Sequence, residues 1–211
     1  MNHGDDGFLS LWPTLFLQRQ MPSAEVANQA LYQFLMMQDE ARTQMTTDYR
    51  QQNLFEQTHP AVQWLHQCIN KTIADYLSRS GVSVSVNWQL QGWANINRKG
   101  DYHALHNHPH SYLSGTYYVN MPAQPPLDKQ RDDLSPGDIS FFDPRPQANM
   151  TAIAGDPQVD PEHRVTPKAG LLLLWPAFVH HAIHPNFAEQ ARVSISFNVV
   201  LQKSADLMPQ Q

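Results

Sequence analysis

The sequence predicts a mainly β protein with helices at its N-terminal end, its strands forming an antiparallel sandwich or jelly roll. Three observations carry this. Apolar residues recur at spacings of three and four up to Gly81, then switch to alternation. Strand-like runs follow one another to Leu201 with no helical pattern between them. Turn-forming residues, rich in Pro, Gly and Asn, separate those runs. A chain of 211 residues suits one domain over 1–211. Within it, 1–81 is expected to be a helical part packed on a barrel, and 82–201 the β core.

The N-terminal part opens with a short extended segment. Ser23 is placed to cap a helix whose apolar face is Val26, Ala30, Leu31, Phe34 and Leu35. A second helix begins after Pro60. Its face is Val62, Leu65, Ile69, Ile73, Tyr76 and Leu77, and Gly81 is its stop. Val82, Val84 and Val86 alternate with Ser83, Ser85 and Asn87, the pattern of a half-buried strand. Further strands are expected at 90–96, 113–119, 138–142, 170–175 and 192–201. The polar, Pro-rich stretches 122–136 and 144–167 read as loops, and long loops in a compact domain are often functional.

Composition narrows the class. Hydrophobic residues make up 41%, enough for a packed core. The net charge is −5 and no basic run stands out, which argues against a dedicated nucleic-acid surface. The apolar stretch from Phe8 to Leu17 is broken by Ser10, Pro13 and Thr14. It is too short to span a bilayer and lacks the layout of a signal peptide. A single cysteine, Cys68, fits a reducing cytoplasm and reads as a helix packing residue. The histidines are less ordinary. Seven of the 11 fall in two windows: His103, His106, His108 and His110, then His180, His181 and His184.

His106-Asn107-His108 precedes the strand at 113–119. In an extended segment, residues two apart face the same way, so both imidazoles can reach one metal. His180-His181 follows the apolar strand ending at Trp175 and offers a distant third ligand. Imidazole suits Fe, Zn, Cu and Ni alike, so ligand type alone does not name the metal. On the last strand, Arg192 and Ser194 share one face, opposite Val193 and Ile195. A guanidinium facing into a barrel needs an anionic partner, and a carboxylate matches its fork. The bland alternative is an Arg192 that faces solvent or pairs with an internal Asp or Glu.

Read together, these stretches resemble the 2-oxoglutarate- and Fe(II)-dependent oxygenases, and more narrowly a 2OG-Fe(II) oxygenase family of bacterial and phage proteins. The matching segments are Trp93-Ala-Asn95, Gly100 through His106-Asn-His108-Pro109, and Leu113-Ser-Gly-Thr-Tyr-Tyr-Val119. They continue with Asp143-Pro-Arg145, Pro167 through Trp175-Pro176, His181-Ala-Ile-His-Pro-Asn186 and Arg192-Val-Ser-Ile-Ser-Phe-Asn198. The resemblance covers roughly residues 88 to 200.

The resemblance implies a double-stranded β-helix with Fe(II) at its open mouth and 2-oxoglutarate as cosubstrate. His106 would be the first ligand, and His181 the distal one, by the match of His-x-Ile-x-Pro to the class pattern His-x-Val-x-Pro. His180 and His184 would be neighbours only. Arg192 would hold the distal carboxylate of 2-oxoglutarate, with Ser194 and Tyr118 beside it. O2 and an unknown substrate would complete the reaction. The wider class carries His-x-Asp or His-x-Glu where this chain has His-x-His. Either His108 completes a three-histidine site, or a carboxylate arrives from Asp101 or Asp143. Two other readings fit the residues: a cupin-like three-histidine enzyme that does not use 2-oxoglutarate, and a non-catalytic binding protein on the same fold. Trp93, His110 and Arg145 are further candidate pocket residues.

Overall fold

The computed structural model describes residues 13–40, 53–82, 85–127, 134–145 and 160–202. Strand β1 (Leu17–Gln20) leads into helix α1 (Glu25–Glu40), and α2 (Pro60–Arg79) follows a single 3-10 turn. The remaining strands are β2 (Trp88–Asn97), β3 (His103–His106), β4 (Leu113–Asn120), β5 (Ile139–Phe142), β6 (Glu162–Val165), β7 (Leu171–Pro176), β8 (His181–Ile183) and β9 (Arg192–Leu201). They pair antiparallel in two sheets, ordered β1-β7-β4-β9-β2 and β3-β8-β5-β6. This is the jelly roll the alternation predicts, with the two helices outside it.

Three layers result. The outer face of the five-stranded sheet packs on the helices. Leu31, Leu35, Val62, Leu65, Ile69 and Ile73 meet Tyr117, Leu172, Leu174, Val193, Ile195 and Phe197 in one apolar cluster. Burying each such side chain contributes about 1.5–3 kcal/mol. Polar contacts pin the layers in register: Tyr117 Oη donates to Asn28 Oδ1, Tyr76 Oη to the Leu15 carbonyl and Trp88 Nε1 to Asn70 Oδ1. Gly115 has no side chain because a Cβ there would collide with the Phe197 ring and lie 2.7 Å from the Leu173 carbonyl. The inner face of the same sheet looks across at the smaller sheet. There a second cluster joins Tyr118, Leu173 and Trp175 to Ile139, Phe141 and Val165. Among the described residues, no helix is long and apolar enough to cross a membrane.

Three expectations change. Ser23 does not cap α1. It sits at φ 52 in the turn before the helix, and the first helical acceptor is the Ala24 carbonyl. The alternating run 82–87 is not a strand where it is described. Residues 83–84 lie outside the described residues, and β2 starts at Trp88, where its partner β9 ends at Leu201. Alternation assigns faces, but a strand also needs a neighbour to bond with. The stretch 144–167 contains β6, an edge strand in which only Val165 is buried, so it carries no apolar period. Within 122–136, residues 128–133 lie outside the described residues. β3, the other edge of the smaller sheet, is also short and polar, and β8, only three residues long, lies between β3 and β5.

Candidate metal centre and anion pocket

His106 ends β3 and His181 begins β8, and the two are direct cross-strand partners. His108 lies beyond β3, its backbone N–H held by the Ala177 carbonyl at 3.0 Å. One nitrogen from each of the three rings lies within 4.8 Å of the others. The ring centroids are 4.3 Å apart for His106 and His181, 5.2 Å for His106 and His108, and 5.3 Å for His108 and His181.

The backbone sets the tautomers. His106 Nδ1 faces the Ala104 carbonyl at 2.7 Å, and His181 Nδ1 faces the Val179 carbonyl at 3.2 Å. A carbonyl only accepts, so both Nδ1 atoms carry protons and both Nε2 lone pairs remain as donors to a metal. Burial and the neighbouring His106 hold His181 down to about 3. The same two causes bring His108 to about 4. These imidazoles are neutral at physiological pH, the form that binds a cation.

His103, three residues before His106, also belongs to the wall. In a regular strand, residues three apart face opposite ways. The register shifts between His103 and His106, and that bulge returns both rings to one side, 6.3 Å apart. The ring lines a cleft open to solvent, whose other walls include Trp93, Thr116, Ile139, Trp175 and Ile183. Burial, then Arg192 and His106, lower His103 to about 4. The odd spacing hid this residue and no alternation rule recovers it. Trp175, packed edge-on to His181 at 5.0 Å, was legible only as a strand residue.

Arg192 opens β9 and is 1% exposed. Its Nη2 donates to Asn97 Oδ1 at 2.9 Å, and Nη1 makes two long contacts, to the Gly137 and His184 carbonyls at 3.5 and 3.4 Å. Its Nε has no partner among the described residues, nor has the Tyr118 hydroxyl, also 1% exposed. At 1% exposure Arg192 does not face solvent, and it makes no ion pair among the described residues. Burial lowers its pKa and raises that of Tyr118. Ser194 is buried on the same face, opposite Tyr118 on β4, and its Oγ lies 3.5 Å from Asn95 Nδ2.

The two carboxylate candidates stand outside the histidine group. Asp143 is gripped by Arg145 through Nε–Oδ1 at 3.0 Å and Nη2–Oδ2 at 2.5 Å, and the Arg145 side chain holds its pKa low. Asp101 accepts from the Arg98 backbone N–H at 2.8 Å. His110 and His180 are exposed. His184 turns to the smaller sheet, its Nε2 2.7 Å from Ser140 Oγ. Arg145 serves Asp143 at the surface, while Trp93 does line the cleft, 5.9 Å from His108.

The family model described as "Putative 2OG-Fe(II) oxygenase" matches residues 91–198, the span from β2 to β9 that carries all of these groups. The chain belongs to this oxygenase family. Fe(II) and 2-oxoglutarate are the family's metal and cosubstrate. No curated protein matches the oxygenase sequence. Solved structures share its fold. A prolyl-4-hydroxylase of Pseudomonas putida aligns with a TM-score of 0.62 at 14% identity, covering 89% of this chain and 93% of that one. A Trichoplax adhaerens prolyl hydroxylase, solved with a peptide fragment of the hypoxia inducible factor oxygen degradation domain, gives 0.60 at 14% identity, covering 92% and 87%. HygX of Streptomyces hygroscopicus, solved with nickel and 2-oxoglutarate, gives 0.56 at 14% identity, covering 93% and 90%.

Proposed function

We propose that this oxygenase is hydroxylase-type, with His106, His108 and His181 holding Fe(II) and Arg192, Tyr118 and Ser194 holding the distal carboxylate of 2-oxoglutarate. One observation carries the reading. Three imidazoles converge at one end of an interior whose other end holds a buried guanidinium with no anionic partner among the described residues. An unpaired buried cation is costly, and so is a buried hydroxyl with no acceptor. A bound carboxylate satisfies both, accepting from Arg192 Nε and Tyr118 Oη. From His181 to His184, whose carbonyl contacts Arg192, the chain advances three residues of extended backbone, about 10 Å. That separation suits a short diacid bound at both ends.

The residues thus fit the family's metal and cosubstrate, with His108 in place of the usual carboxylate. When bound, the pair couples O2 to substrate oxidation: one oxygen atom goes to 2-oxoglutarate, released as succinate and CO2, and the other to the substrate. The chain's own groups do the rest. Backbone carbonyls orient the imidazoles, Arg192 and Tyr118 set the depth of the diacid, and Trp93 and His103 border the approach.

A three-histidine cupin-like enzyme without 2-oxoglutarate has no use for a buried Arg192 that has no anionic partner among the described residues. A non-catalytic binding protein has no need for three converging imidazoles. Anaerobic titration with Fe(II), then 2-oxoglutarate, tests the reading. A visible metal-to-ligand charge-transfer band is expected, and it should vanish in His181→Ala. Fe(II) uptake without that band would return the cupin-like reading.

A further inference from the structure

Asn97 closes the inner row of β2 and is fully buried. Its Oδ1 accepts from Arg192 Nη2 at 2.9 Å, and its Nδ2 lies 3.1 Å from His103 Nε2. Asn186 holds it from behind, donating Nδ2 to the Asn97 carbonyl at 3.0 Å. Chemistry dictates the orientation of this amide. Every guanidinium nitrogen is a donor, so the atom facing Arg192 is the oxygen. The other end is an NH2, which donates and never accepts. His103 Nε2 therefore accepts, and the ring is neutral with its proton on Nδ1.

We propose that Asn97 is a positioning residue for the cosubstrate's distal carboxylate, tying the Arg192 guanidinium to the cleft wall at His103 without neutralising it. The proposal rests on Arg192 being the carboxylate anchor. A neutral amide engages Nη2 and leaves the full positive charge for the incoming anion. It also leaves Nε without a partner among the described residues, and Nη1 with only its two long carbonyl contacts. A carboxylate at position 97 would pair with Arg192 and compete with the ligand for it. On its other side the amide takes up His103 Nε2, so that nitrogen is not offered to the metal. This explains why a fourth imidazole so near His106 stays out of the converging group.

The test uses the full chain loaded with zinc(II), which is diamagnetic. Nitrogen-15 spectra of the histidine rings, with His103 assigned by His103→Gln, should show His103 protonated on Nδ1. In Asn97→Asp the second carboxylate oxygen can only accept, so the His103 proton should move to Nε2. Calorimetric titration of the same samples with 2-oxoglutarate should show binding weakened about tenfold or more in Asn97→Asp, with zinc affinity unchanged. An Nε2 proton on His103 in the wild type would overturn the proposal, and that measurement needs no variant to fold. Equal 2-oxoglutarate affinities in wild type and Asn97→Asp would overturn it too. A wild type that takes up no 2-oxoglutarate would sink the cosubstrate reading itself and this proposal with it.

Discussion

Along β9, Val193, Ile195, Phe197 and Val199 turn outward and are buried to within 1% against the helices, while Arg192, Ser194, Ser196 and Asn198 turn inward between the sheets. The strands beside it repeat the split. Leu90, Ala94 and Ile96 of β2 and Tyr117 and Val119 of β4 belong to the outer cluster. Asn95, Asn97, Ser114 and Thr116 are buried polar residues on the inner side. Asn95 Nδ2 donates to Ser196 Oγ, and Ser114 Oγ to Asn198 Oδ1, both at 2.8 Å. One sheet therefore keeps stability on one face and chemistry on the other. The outer face is satisfied as it stands. The inner face holds buried polar atoms, Arg192 Nε, Tyr118 Oη and Trp175 Nε1, without a partner among the described residues.

That contrast is sharpest where each face is broken separately. Phe197→Ala should remove about 3–5 kcal/mol of folding stability by opening a cavity under the helices, read from denaturant midpoints. A loss below about 1 kcal/mol would show that the outer face does not carry the fold. Arg192→Ala should do the reverse. Folding should be little changed, since an uncompensated buried cation is removed. Binding of 2-oxoglutarate should fall tenfold to a thousandfold, about 2–5 kcal/mol, with Fe(II) binding retained. Arg192→Lys should rescue only part of this, because an ammonium lacks the fork. Calorimetry on the metal-loaded protein decides it, and equal affinities would remove Arg192 from the pocket. Tyr118→Phe deletes one hydroxyl on the same face. It should weaken 2-oxoglutarate by about 1.5–3 kcal/mol and leave the ligand-free melting temperature the same or slightly higher.

The faces should also part in their response to acid. Folded His181 titrates near 3 and His103 and His108 near 4, against an ordinary 6.5. Between 6.5 and about 4 the unfolded chain binds protons that the folded chain refuses. Metal-free stability is therefore full above 6.5 and declines as pH falls through that window. Melting curves of metal-free protein should show the decline, reduced in His181→Gln. A flat melting temperature across the window would mean that these rings are solvated. Smallest of all, Val200→Thr, on a side chain 36% exposed, should move stability by no more than about 0.5 kcal/mol.

Periodicity alone was enough for α2, β4, β7 and β9, whose buried faces are long and apolar, and for the jelly-roll class those strands imply. Resemblance in motif order points to His106, His181 and Arg192 from the sequence alone. Local sequence could not decide whether His108 or a carboxylate joins the cluster. That depends on the fold bringing His181 from a distant strand onto His106 and His108, while local turns hold Asp143 on Arg145 and Asp101 on the Arg98 backbone. Nor could it find His103, whose inward turn comes from a bulge paired to β8, or Asn97, whose role needs Arg192 from a strand 95 residues later. Apolar faces are written in the chain because burial acts on each residue's own chemistry. Polar convergence belongs to the tertiary structure, because a donor's meaning depends on which acceptor the fold sets opposite it.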